Sequence, residues 1–397
     1  MDYRPFIDRL LPADPAATLV GRAQVAGEAG ARIVTVRADR LVDLTRSAVT
    51  MSGLLERDDL LEVVRTAPAD ESWALTSCVE STLSGSDVAP RLLSPIDLQV
   101  IKAAGVTFAK SMIERVIEER AAGDATRALE IRARVADAIG GAIGSIRPGS
   151  AEAEEAKRVL IAEGLWSQYL EVGIGPDPEI FTKAPVLSST GTAAPVGVLA
   201  RSTWNNPEPE VVLAVTSAGH AVGATLGNDV NLRDFEGRSA LLLGEAKDNN
   251  GSCAIGPMIR LFDEQFSLPD VTTLAISLHI EGDDGFTLDD GSRMSEMSRS
   301  LEELIAHTVG PHHQYPDGFV LFTGTLFAPT QDRDEPGLGF THKGGDVVRI
   351  SCPELGTLVN RVTSSEQCPP WTIGIARFFA DLAARGLVQS DEIAVRG

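Results

Sequence analysis

The spacing of apolar residues changes along the chain, and each change predicts a different kind of element. From about residue 180 they fall into short runs (VVLAV, TTLAISLHI, GFVLFTGTLF and DVVRISC) broken by Gly, Pro, Asp and Asn. Short β-branched runs between turn formers predict strands, so this part reads as a mainly β domain. Upstream the period is helical: KSMIERVIEER puts Met112, Ile113, Val116 and Ile117 on one side and mostly charges on the other. Two more helices are expected near 126–139 and 152–170. The first ninety residues read as a small β-rich unit, because ATLVGRAQV and ARIVTVRADRLVDLT flank GEAG, a hairpin signal. The expected architecture is α+β, mainly β, with an N-terminal domain at 1–90 and a catalytic domain at 91–397.

Composition narrows the partners. The 397 residues are 43% hydrophobic and 23% charged, enough apolar material for one large or two medium cores. With 35 Lys and Arg against 56 Asp and Glu, the formal net charge is -21, and no nucleic-acid partner is expected. No apolar run reaches the roughly 20 residues that span a bilayer, so no membrane partner is expected. The opening MDYRPFIDRL is charged where a secretory signal is apolar, which predicts a cytoplasmic protein. Cys78, Cys253, Cys352 and Cys368 form no CxxC pair and read as reduced structural residues.

The chain has no GxSxG elbow, HExxH, Walker loop or well-placed GxGxxG, which leaves metal-assisted chemistry open. His307, His312 and His313 fit no common zinc spacing and read as loop histidines. The informative stretch is WNNPEPEVVLAVTSAGHAVGATLGNDVNLRD. If VVLAV is a strand, Glu208 and Glu210 leave the same face of it. A hairpin turning between Ala218 and Gly219 sets Glu208 opposite Asp229, with facing Cβ atoms about 5 Å apart. Three carboxylates without histidine or thiolate favour Mg2+ or Mn2+ over Zn2+. Charge guarding a strand end is the plainer reading of Glu-Pro-Glu alone.

The order PEPEVVLAV, LGNDVNLRDFEGRSALLLGEAKDNNGSCAIGP, FVLFTGTLFAP and GGDVVRISCPELGTLVNRV resembles the fumarylacetoacetate hydrolase family from about residue 95 onward. LLSPIDLQVIKAAGVTFAKSMIERVIEERA, GLWSQYLEVGIGPDPEIFTK and HHQYPDGF resemble its branch that dehydrates 2-keto-3-deoxy-pentonates. The resemblance implies a mixed β-roll catalytic fold, a magnesium site and a homodimer or higher homo-oligomer. It puts the metal ligands on Glu208, Glu210 and Asp229, the active-site lysine on Lys247, and the substrate loop on Thr323 to Thr325. Hydrolytic members pair a His with a Glu three residues later to activate water; the matching positions here are Ser111 and Glu114. The missing imidazole is compatible with a lyase. A fourth carboxylate that some members carry upstream has no counterpart around Gly105. Ser111 and Glu114 also fit a capping box, in which both side chains bond backbone N–H groups.

These readings predict metal-dependent dehydration of a small 2-keto-3-deoxy-D-pentonate to 2,5-dioxopentanoate, with Glu114 or Lys247 taking the C3 proton. Lys247, as an ammonium beside a dication, is expected to have a lowered pKa. Arg233, Lys247 or Lys183 is expected to meet the substrate anion, although Arg233 could equally pair with Asp234 or Glu236. Thr325, Thr107 and Phe108 are expected to line the pocket. Gly324 and Gly227 are expected to let the backbone turn beside it. The alternatives are an acylpyruvate or diketo-acid carbon–carbon hydrolase and a non-catalytic sugar-acid sensor.

Overall fold

The computed structural model describes residues 9–69, 71–122, 124–128, 131, 146–162, 164, 166–327, 329–334 and 339–388. Its organising element is a sheet of eleven strands. In spatial order its main path runs Ser72–Ala74, Arg40–Asp43, Arg32–Arg37, Leu19–Gln24, Cys253–Leu261, Ala221–Asp229, Pro209–Val215, Phe319–Phe322, Val100–Ala104 and Ile180–Ala184. A second sheet of five strands is ordered Thr287–Arg293, Ala275–Glu281, Val347–Cys352, Gly356–Ser364 and Pro195–Val198.

The strand Pro209–Val215 shows why the interior sits where it does, because all seven of its residues are buried. Its odd-numbered residues, Val211, Leu213 and Val215, pack in one core with Ile276, Leu278 and Ile350 of the second sheet. Val212 and Ala214 face the other way, into a core shared with Met51, Leu54, Leu60 and Val64 of two short N-terminal helices. A strand covered on both faces reads as a continuous apolar run, which is what VVLAV is.

The hairpin expected between Glu208 and Asp229 forms in the expected register: Pro209 faces Asn228 and Glu210 faces Gly227. The Asp229 N–H extends the ladder to the Glu208 C=O at 3.0 Å. Gly219, with φ +83°, supplies the left-handed residue that closes the turn. Gly227 does not turn the backbone. It lies within the strand Ala221–Asp229, where a Cβ would stand 2.3 Å from Phe322 Cε1 and 2.5 Å from Val212 Cγ2.

GEAG joins the paired strands Leu19–Gln24 and Arg32–Arg37 as a hairpin. The run ARIVTVRADRLVDLT is two strands rather than one, because Ala38 takes φ +52° and folds Arg40–Asp43 back onto Arg32–Arg37. The first ninety residues also carry three helices, Met51–Leu55, Leu60–Thr66 and Leu75–Ser84. Leu19–Gln24 pairs with Cys253–Leu261, so the N-terminal strands extend the sheet that holds the hairpin. The helix expected at 152–170 is two, Ala151–Ala162 and Gln168–Ile174, the second started by the Ser167 hydroxyl as N-cap. The helix expected near 126–139 lies mostly outside the described residues. All four cysteines are buried free thiols. Among the described residues no helix is long and apolar enough to cross a membrane.

The close fit at Gly227 gives a stability prediction. Gly227→Ala should overpack the Phe322 and Val212 contacts and cost about 1–3 kcal/mol, read as a lower urea midpoint at unchanged slope.

Candidate active site

The hairpin register delivers three carboxylates to one place. Glu208, Glu210 and Asp229 are buried, and each offers an oxygen within 4.8 Å of the others; it is the one such group of potential metal ligands among the described residues. His307, His312 and His313 are exposed and belong to no such group.

Each carboxylate is held differently. Glu208 is gripped from both sides, by Arg115 through one oxygen and Lys247 through the other. Burial opposes its ionisation, but these two cations prevail and hold its pKa down at about 2. Asp229 pairs with Lys183 at 2.9 Å and Lys247 at 3.2 Å. Glu210 meets hydrogen-bond donors of the TGT loop, the Gly324 N–H at 2.7 Å and the Thr325 hydroxyl at 3.1 Å. Burial, together with the charges of Asp229 and Glu208, pushes its pKa well above the carboxylate range. A buried carboxylate disfavoured by its own neighbours marks a place short of positive charge. Three converging hard oxygens match a Mg2+-type cation, so the residues fit the group that the resemblance implies.

Lys247 lies at the end of the helix Leu243–Lys247 and touches two of the three carboxylates. Burial draws its pKa down, but Asp229 and Glu208 outweigh burial and raise it above the ordinary lysine value. Without a cation in the site, these neighbours hold Lys247 as an ammonium. Lys183 is completely buried, and besides Asp229 its ammonium donates to the backbone C=O of Lys247 and of Val230. It is committed to the protein's own oxygens.

The helix Ala109–Ala121 contributes a buried polar face. Ser111, Arg115 and Glu118 follow one another at helical spacing, and all three are buried. Arg115 joins Glu208 to Glu118 and Glu236, each of the latter at 2.8 Å. Arg233 then continues from Glu118, at 3.2 Å, to the Asn206 side chain at 2.7 Å. Its partner is thus neither Asp234, which binds Ser202 and Thr203, nor Glu236. The capping box does not form: Phe108 is the N-cap and makes no side-chain cap bond. The Ser111 hydroxyl instead donates to the Thr325 C=O at 2.5 Å, while Glu114 sits half-buried on the same helix.

Thr107 braces the loop from the other side, donating to the Thr323 C=O at 2.7 Å, and Phe108 is buried beside it. Gly324 is required here because its φ is +100° and a Cβ would lie 1.9 Å from the Thr107 hydroxyl oxygen.

One carboxylate escaped the sequence reading altogether. Glu179 precedes the strand Ile180–Ala184, which pairs with Val100–Ala104, and a Cβ on Gly105 would fall 1.9 Å from the Glu179 Oε2. The space above Gly105 is thus occupied by a carboxylate delivered from the neighbouring strand. Burial, and next the Glu236 charge, raise the Glu179 pKa to about 7. With Glu236, Tyr169 and Leu243 it lines a cavity of about 120 Å3.

Residues 190–363 match the family model described as the fumarylacetoacetate hydrolase C-terminal domain. The match covers Glu208, Glu210, Asp229, Lys247 and the TGT loop, but neither Arg115 nor Glu179. Over 196 residues the chain is 35% identical to the Haloferax volcanii protein named "Probable 2-keto-3-deoxyxylonate dehydratase", covering 49% of this chain and 64% of that protein. Over 185 residues it is 34% identical to the 2-dehydro-3-deoxy-D-arabinonate dehydratase of Saccharolobus solfataricus, covering 47% of this chain and 58% of that protein. The alignments thus span somewhat under two thirds of these relatives' lengths. A solved structure described as 2-keto-3-deoxy-D-arabinonate dehydratase complexed with magnesium and 2,5-dioxopentanoate has the same fold. It aligns with TM-score 0.62 at 22% identity, covering 87% of this chain and 99% of that chain.

Glu179 gives a pH prediction. Its folded pKa of about 7 lies above the ordinary 4.5, so its contribution to stability is fully present below pH 4.5 and is lost as pH rises through 7. One edge of the group still meets solvent, so the loss is about 2 kcal/mol rather than the full equivalent of the shift. Glu179→Gln should remove this slope and be more stable than wild type at pH 8 but not at pH 4, as read by denaturant titration at each pH.

Proposed function

We propose that the protein removes water from a 2-keto-3-deoxy-D-pentonate, the acid reached from D-xylonate or D-arabinonate, to give 2,5-dioxopentanoate. The observation that carries this reading is the buried Glu208, Glu210 and Asp229 triplet, in a chain whose relatives bear dehydratase names. Magnesium, or manganese as an equally hard ion, held by these three carboxylates supplies Lewis acidity toward a bound 2-oxo acid.

The chain's own residues account for the rest. Lys247, kept as an ammonium by Glu208 and Asp229, fixes both ligands and offers positive charge to an anionic substrate in a chain of net charge -21. Arg115 sets the orientation of Glu208 from the opposite side. Glu179 takes the C3 proton. Burial and the Glu236 charge raise its pKa to about 7, near the operating pH, which suits a base whose proton must later be given back. Glu114 and Lys247, the bases expected from the sequence, are the other assignments. The C4 hydroxyl leaves with a proton as water. The resulting C3–C4 double bond then moves to the C5 enol, which tautomerises to the aldehyde.

Ser111 stands where a hydrolase would carry its water-activating histidine, and its hydroxyl is engaged with the Thr325 C=O, an arrangement suited to a reaction that consumes no water. The reading brings with it a cytoplasmic homodimer or higher homo-oligomer acting on a small sugar acid.

The test is a product assay of the purified protein with D- and L-configured 2-keto-3-deoxy-pentonates. An aldehyde-positive dioxo acid should form with Mg2+, disappear with EDTA and return on adding metal back. Pyruvate released from an acylpyruvate, with no dehydration of either pentonate, overturns the reading. Glu179→Gln should lower kcat by about 10²- to 10⁴-fold with Mn2+ affinity unchanged. Asp229→Ala should lose Mn2+ binding, measured by calorimetry.

A further inference from the structure

A second cleft, of about 290 Å3, lies where the strand Leu19–Gln24, the segment 187–195 and the helix Ile375–Ala384 meet. It shares no residue with the carboxylate site. Its polar end is Arg22, only 9% exposed. The Arg22 Nη1 donates to the backbone C=O of Ile96 at 2.6 Å and of Ser94 at 3.4 Å, but its Nε is buried and meets no acceptor. Among the described residues Arg22 has no ion-pair partner. Asp97 is the acid that acts on it electrostatically. That carboxylate is committed elsewhere, to the N–H groups of Met51 at 2.6 Å, Leu98 at 2.7 Å and Ser52 at 3.0 Å.

A buried guanidinium hydrogen-bonded only to carbonyl oxygens, its acidic neighbour engaged elsewhere, is expensive to keep, because a charge removed from water needs an opposite charge to offset the loss. What faces it is a cleft rather than a carboxylate. The Ser94 and Ser189 hydroxyls, 2.7 Å apart, line the cleft, as do the apolar side chains of Leu93, Leu187 and Phe378. Asp381 also lines it but is paired with Arg377 at 2.8 Å.

We propose that this cleft binds a small organic monocarboxylate, with its carboxylate at the Arg22 guanidinium and its hydrocarbon part against Leu93, Leu187 and Phe378. The guanidinium supplies the positive charge that a carboxylate needs in a buried place, and the serine hydroxyls can donate to the carboxylate oxygens. The cleft is at the small end of ligand sites, which begin at about 300 Å3, so the fitting acid has only a few carbons.

The test uses the whole protein stripped of metal with EDTA, so that chelation at Glu208, Glu210 and Asp229 does not contribute. Butyrate is titrated by calorimetry and by thermal midpoint, with butyramide as the uncharged control of the same shape. Saturable butyrate binding that raises the midpoint, with no response to butyramide, is expected. Arg22→Gln should weaken it at least tenfold. Ile373→Trp, a change at a cleft residue that is 38% exposed, should block it while leaving Arg22 in place, and serves if Arg22→Gln does not fold. No binding of butyrate, an equal response to butyramide, or unchanged affinity in the variants overturns the proposal. A midpoint that rises with protein concentration and ignores butyrate means that a second copy closes the cleft, which overturns it too. None of these outcomes bears on the dehydratase reading, because the readout is binding to metal-free protein.

Discussion

Negative charge gathered in a dry place is the constraint around which this structure is arranged. A hairpin buried on both faces ends by pointing Glu208, Glu210 and Asp229 at one another. Left alone, three such carboxylates would repel each other and resist losing their water. Arg115, Lys247 and Lys183 relieve two of them, and the TGT loop gives the third only neutral donors. The unequal relief leaves Glu208 an anion over most of the pH range while Glu210 strongly prefers a proton. It is the electrostatic shape of a cation site.

The supporting frame follows from that need. Arg115 can reach Glu208 only because the helix Ala109–Ala121 lies against the TGT loop, and Ser111 and Thr107 fasten it there through backbone carbonyls. One helix face thus positions both a metal ligand and the loop that donates to another. Glu118, Glu236 and Arg233 extend the same buried network so that Arg115 is balanced by more than the site itself. Such networks are costly if half satisfied, which is why so many charged residues here are buried together rather than singly.

Proton chemistry separates along the same lines. Lys247 is surrounded by carboxylates and is fixed as a cation. Glu179 is set back from the triplet beside the neutral Gly105 and is poised near neutrality. Two titratable groups near one site are driven in their tasks by which neighbours they keep, not by their residue type.

Much of this was legible in the chain. The apolar run VVLAV and the turn at TSAGH set the hairpin register, and with it the facing of Glu208 and Asp229, because placing the turn places the pairing. GEAG marked its hairpin for the same local reason. What lay beyond reach were contacts between elements far apart in sequence. Arg115 could not be singled out, since helical period says which residues share a face but not what that face meets. Glu179 came to lie over Gly105 only through the pairing of the strands Val100–Ala104 and Ile180–Ala184, which no local pattern encodes. The two carboxylates that close around Lys247 were equally hidden, because they come from two different strands. The sequence by itself determined the carboxylates and the hairpin that gathers them; only the tertiary structure decided which cations hold them and that Glu179 lies over Gly105, since those depend on distances through space.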